Sequence, residues 1–163
     1  MAGFDRKSGG QVRAKFDEPE ADVLRGLLAE MRILLEADLP REDPVTARIF
    51  PQAYSEPDDQ SAYQELIGGQ LREHKLAALN AVSTALGDQG KVKITLEGDQ
   101  VESWLAVLTD IRLAIGTRLE VTEETMEREL DEDDPDGPAL AALHWLGWMQ
   151  ESILQAIDTR SNG

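Results

Sequence analysis

The stretch 99-DQVESWLAVLTDIRLAIGTRLEV-121 decides how the chain folds, because it carries the clearest helical period together with a start and a stop signal. Asp99 followed by Glu102 reads as a capping box, each side chain accepting from an otherwise unpaired amide of the first turn. At ~100° per residue, Val101, Trp104, Leu105, Leu108, Ile111 and Ile115 fall on one side, and Gly116 supplies the stop. The pattern predicts a core helix. Arg112 lies inside the apolar stripe, where an unpaired guanidinium is costly. It is expected to snorkel out or to form a buried or half-buried structural ion pair fastening the helix to a loop, with Glu120 and Glu65 as candidate partners. Asp110 points the other way, towards Ser103 and Ala106, and is not that partner.

Working outward, KVKITL at Lys91 to Leu96 alternates strictly, with Val92, Ile94 and Leu96 on one face, and predicts a half-buried strand. Two short runs around Ser8-Gly9-Gly10, within Phe4 to Phe16, predict a hairpin. Pro19 suits the first turn of a helix whose stripe is Val23, Leu24, Leu27, Leu28, Met31, Leu34 and Leu35, with Arg25, Arg32 and Glu36 facing water. From Asp59 to Leu86 the period is helical again, and Gly68-Gly69 predicts a bend or two helices end to end. Pro138 begins the last helix, whose core face is Leu140, Leu143, Leu146, Gly147, Ile153, Leu154 and Ile157.

Between these elements lie a connection from Pro40 to Pro57 with four of the seven prolines, a possible short strand at Arg118 to Val121, and an acidic segment at 122–137. The whole predicts one mainly α (α+β) domain over residues 1–163, a helical bundle of four to five helices with a small β-hairpin or sheet.

The composition excludes several functions. There is no cysteine, hence no disulfide, thiolate nucleophile or thiol switch. A net charge of −16, from 16 basic and 32 acidic residues, opposes general affinity for phosphate backbones, so no direct nucleic-acid binding is expected. The first ten residues lack an apolar core, and the longest apolar run, Ala139 to Met149, is about half a membrane span. The expectation is a soluble cytoplasmic protein.

Chemistry is scarce. Glu132, Asp134, Asp136 and Gly137 occupy early places of a calcium loop, but Leu143 stands where the bidentate glutamate belongs. No nucleophile elbow, phosphate loop or paired-histidine zinc motif occurs. His74, on the edge of an apolar face, reads as a packing residue, so neither metal nor cofactor is expected and the chain is not expected to be an enzyme. The last helix offers the more specific signal. Its polar face carries His144, Glu151, Ser152 and Gln155, with Trp148 among them and Trp145 beside it. A tryptophan there is either covered by the tail or another element, or forms a contact surface for a protein partner or a second copy. His144, Trp145 and Trp148 are therefore the candidate partner-binding residues.

Arg48-Ile49-Phe50-Pro51-Gln52-Ala53-Tyr54, Leu71-Arg72 with Lys75, Trp104 through Asp110-Ile111-Arg112-Leu113 to Gly116-Thr117-Arg118-Leu119, an acidic break and a tryptophan-bearing last helix follow in order. Over residues 20 to 157 this resembles the AosR-like actinobacterial family, long catalogued as a domain of unknown function. The resemblance implies a cytoplasmic, mainly helical regulator of the oxidative-stress response that acts on transcription through a sigma factor or RNA polymerase. The cysteine pair associated with redox sensing in such a regulator has no counterpart here, so the disulfide switch is not carried over. The readings left open beside it are a metal-dependent module or enzyme using the acidic segment, and a plain structural homodimer.

Overall fold

The computed structural model describes residues 2–7, 10–37, 61–118 and 137–157, with side chains from all of these except 61–69 and 118. The described elements follow in the order β1 (Gly3–Arg6), β2 (Val12–Phe16), α1 (Glu18–Glu36), α2 (Ser61–Leu86), β3 (Val92–Leu96), α3 (Gly98–Arg118) and α4 (Gly137–Ile157). The protein is thus mainly α with a small antiparallel sheet, in the order β1-β2-β3.

Alternation builds the sheet. Phe4, Val12, Ala14, Phe16, Val92 and Leu96 turn inward and are buried, and β2 pairs with β3 so that Val12 faces Leu96 and Phe16 faces Val92. Between β1 and β2, Gly10 stands at φ +79°, a value that a side chain disfavours. Under the sheet, Phe16 stacks on Trp104 of α3 at 5.9 Å, Phe4 meets both edge-on, and Trp145 of α4 closes the cluster edge-on to Phe16 at 6.5 Å. Trp104 is 1% exposed, so the aromatic cluster joins the hairpin to the helical layer.

Each helix departs from its sequence reading in an instructive way. In α1, Asp17 and Glu20 form the capping box: Asp17 Oδ1 accepts from the Glu20 amide and Glu20 Oε1 from the Asp17 amide. Its buried face is Ala21, Leu24, Leu28, Met31 and Leu35, while Val23 is 52% exposed. Arg25 does not face water as expected. Its guanidinium donates to the carbonyls of Leu86, Gly87 and Gly90, and so closes the C-terminal end of α2 and the turn leading to β3. Helix α2 runs unbroken through Gly68-Gly69, so it is one helix rather than two end to end.

Helix α3 begins two residues earlier than the Asp99 box implies. The Val101 amide donates to the Glu97 carbonyl and the Gln100 side chain accepts from the Glu97 amide, which makes Glu97 the cap. It also continues through Gly116 to Arg118, so Gly116 is not the stop, and Arg118 is helical rather than the start of a strand. In α4 the core is Leu140, Leu143, Leu146, Met149, Ile153 and Ala156, and the expected core residues Leu154 and Ile157 are 51% and 38% exposed. The line of burial advances mostly in steps of three, which rotates it away from a pure 3.6-residue period. No helix of the described residues is long and apolar enough to cross a membrane.

The Pro40–Pro57 connection, residues 119–121, the acidic segment up to Asp136 and the tail after Ile157 lie outside the described residues.

Candidate interaction face

The three candidate partner-binding residues share one face of α4. Taking Ala141 as origin, rotation by ~100° per residue sets Trp148 about 20° to one side, Trp145 about 40° to the other, and His144 about 60° round on the flank of Trp148. Trp148 is 44% exposed and His144 is exposed, whereas Trp145 is half-buried with its ring against Phe16. Among the described residues nothing covers Trp148 as it covers Trp145.

Beside this line runs an open groove of 330 Å³ between the starts of α1 and α4, lined by Pro19, Glu20, Val23, Pro138, Ala141, Ala142 and Trp145. Its one charged group is already engaged. The Glu20 carboxylate accepts from the Ala2 amide at 2.6 Å and from the Asp17 amide at 3.1 Å. The groove therefore offers a partner apolar surface, with proline, valine, alanine and indole walls, and little with which to orient a small polar substrate. Val23 and Pro19 were not among the sequence candidates. Their signal, an apolar pair at i and i+4 at the start of a helix, is the same signal that marks a core face.

Arg112 belongs elsewhere. It is exposed, not buried, and its Nη1 donates to Gln150 Oε1 of α4. The guanidinium lies over Gly147, where an added Cβ would stand 3.6 Å from its Cζ. Gln150 in turn donates to Thr109 Oγ1 at 2.6 Å and to the Leu105 carbonyl at 3.3 Å. Among the described residues Arg112 thus meets an amide, and the side chains of the proposed partners Glu65 and Glu120 lie outside them. Gly147 is about 100° round the helix from Trp148, so Arg112 flanks the candidate face without entering it.

The buried ionic residue of α3 is Asp110, which the sequence placed on the outward side. It is 8% exposed, and both its oxygens accept from Lys75 Nζ of α2, at 2.9 and 3.1 Å. Burial raises the Asp110 carboxyl above its ordinary value of 3.8 despite the opposing pull of the Lys75 hydrogen bonds and charge. The pair holds α2 to α3. Among the described residues no group of three His, Cys, Asp or Glu side chains is placed to hold a metal ion.

No curated protein and no solved structure matches the chain. A family model does, over residues 1–157. By that match the chain belongs to the family described as Domain of unknown function (DUF2017).

Proposed function

We propose that this protein is an AosR-like, non-enzymatic regulator that works in the cytoplasm by holding a protein partner of the transcription apparatus, a sigma factor or RNA polymerase, without a disulfide switch. The observation that supports this reading most is Trp148, 44% exposed on the same face of α4 as Ala141 and Trp145, which line the apolar groove with Pro19 and Val23. Tryptophans anchor protein interfaces far beyond their abundance, and the groove can take an apolar side chain of the partner beside that anchor.

The test is affinity purification from native cytosol of the parent and of Trp148→Ala, followed by mass spectrometry and by direct binding of the recovered partner at two salt concentrations. A sigma factor or polymerase recovered with the parent and lost with the variant is the expected result. Recovery of the chain alone would overturn the reading in favour of a plain homodimer or an uncharacterised enzyme. An interaction indifferent both to Trp148→Ala and to salt would overturn the reading, because a partner of so acidic a protein is bound through screened charges as well as the indole. The metal-dependent alternative is decided separately by metal analysis and by thermal shifts with calcium, magnesium and manganese. A ligand at a hundred times its dissociation constant stabilises by about 2.7 kcal/mol.

A further inference from the structure

The open face of the sheet carries charge of the opposite sign to the molecule as a whole. On β2 the inward residues are Val12, Ala14 and Phe16, so Arg13 and Lys15 point outward; on β3 Lys93 and Thr95 do so, with Lys91 one step before the strand on the same side. Lys7, just past β1, reaches over this face, its Nζ 3.4 Å from Thr95 Oγ1. The register sets Lys15 directly opposite Lys93. Like charges so placed weaken a sheet, yet a chain with 32 acidic residues puts two lysines there.

The carboxylates of the same face stand at its margins. Asp5 is the cross-strand neighbour of Arg13, Glu97 is engaged by the Gln11 amide at 2.6 Å, and Asp17 is turned to cap α1. Arg13, Lys15, Lys91 and Lys93 form no ion pair among the described residues.

We propose that this cationic face binds an acidic protein segment, an extended run with Asp or Glu at alternate positions. Alternate residues of an extended peptide repeat every ~7 Å, the same spacing as outward residues along β2 and β3, so carboxylates at that interval meet successive ammonium groups. Neighbouring strands lie ~4.8 Å apart, which makes the cationic area on β2 and β3 roughly 5 by 13 Å between Cα positions. A nucleic acid is a poorer occupant on two grounds. Its phosphates would continue past so small an area into the field of the acidic remainder, which a Debye length of ~8 Å does not hide. Among the described residues the face also presents no aromatic ring on which a base could stack. The site is on the opposite side of the sheet from the aromatic cluster, and the inference does not depend on the groove or on Trp148.

The test titrates a fluorescently labelled peptide of alternating Glu and Ser, with single-stranded DNA of equal charge and phosphatidylserine vesicles as parallel arms, into the full chain at ~50 and ~200 mM salt. The peptide is expected to bind at the lower salt and several-fold more weakly at the higher. Lys15→Gln/Lys93→Gln should weaken it about tenfold while the unfolding midpoint stays or rises, since the cross-strand repulsion is removed. A merely structural role would lower that midpoint instead. Should the double variant fail to fold, Lys91→Gln/Lys93→Gln reads the same loss. The control Arg32→Gln, ~20 Å along α1 from its start, should leave binding unchanged. No peptide binding at low salt, or equal binding by parent and double variant, overturns the proposal. Tighter binding of DNA or vesicles, lost in the same variant, overturns it in favour of a phosphate-bearing ligand.

Discussion

Replacing Lys75 by methionine should destabilise the protein by about 3 kcal/mol near neutral pH, and by clearly less in mild acid. The Asp110 side chain is 11% exposed and that of Lys75 20%, so removing the ammonium strands a largely buried carboxylate, whereas removing the carboxylate leaves an ammonium whose flexible stem can carry it outward. Asp110→Leu should therefore cost only about 1 kcal/mol. The sign of the pH effect follows from the direction of the shift. The Asp110 carboxyl already titrates above 3.8 because burial outweighs Lys75, and losing Lys75 raises it further. The folded state then holds the proton more tightly than the unfolded chain, so this group's contribution to stability is full below the unfolded value and is lost as pH rises through the folded value. The penalty of Lys75→Met is consequently largest at pH ~7 and shrinks towards pH ~5.

The double variant Lys75→Met/Asp110→Leu completes the reasoning. A buried pair whose carboxyl is raised has not recovered its desolvation, and apolar replacement of such pairs is neutral or stabilising by ~1–4 kcal/mol. Urea unfolding followed by circular dichroism at both pH values measures all four states of the cycle. Additive losses in the double variant, or a Lys75→Met penalty that does not change with pH, would refute the argument.

Three further outcomes are expected. Arg25→Met should cost about 2 kcal/mol, by freeing the carbonyls of Leu86, Gly87 and Gly90 from a charged donor, and hydrogen exchange should quicken at residues 87–91. Gly26→Ala should stabilise by about 1 kcal/mol in thermal unfolding, since Gly26 is exposed within α1 and an added Cβ meets nothing within 4 Å. Trp148→Ala should change stability by no more than ~0.5 kcal/mol, while Trp145→Ala, which removes the ring against Phe16, should cost about 2 kcal/mol.

The elements were legible in the sequence because strands and helices bury one side and repeat with a fixed period. The hairpin follows from its glycines, the strand at Val92–Leu96 from alternation, and the placing of Trp148 on the polar side of the last helix from period, but period alone does not decide whether another element covers that ring. What was not legible is how wide a helix's buried arc becomes when several neighbours pack on it. On α3 the buried residues Asp110, Val107, Ile111, Trp104, Leu108 and Val101 span an arc that stops short of Arg112, so the charged residue centred in the apparent stripe is exposed and the one behind it is enclosed. On α1 the buried arc is instead narrower than the apparent stripe, which leaves Val23 in a groove wall. Partners distant in sequence were equally out of reach: Lys75 and Asp110 stand 35 positions apart, and Arg25 is 61 from Leu86. Each could be named only once the helices were in place. The cationic sheet face was hidden for a related reason, since Lys15 and Lys93 become neighbours only through the pairing of β2 with β3.

That pairing also sets the order in which the protein can assemble. β1 and β2 meet across a short turn, but Val12 must find Leu96 through a chain loop of roughly eighty residues that contains α1 and α2. Closing so long a loop before the helices have collapsed carries an entropic penalty with little contact energy to offset it. The third strand should then be added late, onto a helical layer already formed around Leu79, Val82 and Leu108, with the N-terminal hairpin arriving as a clasp. A chain shorn of its first sixteen residues would fold its helices against a β3 that no other described strand pairs, with the edge that β2 covers laid open to other molecules.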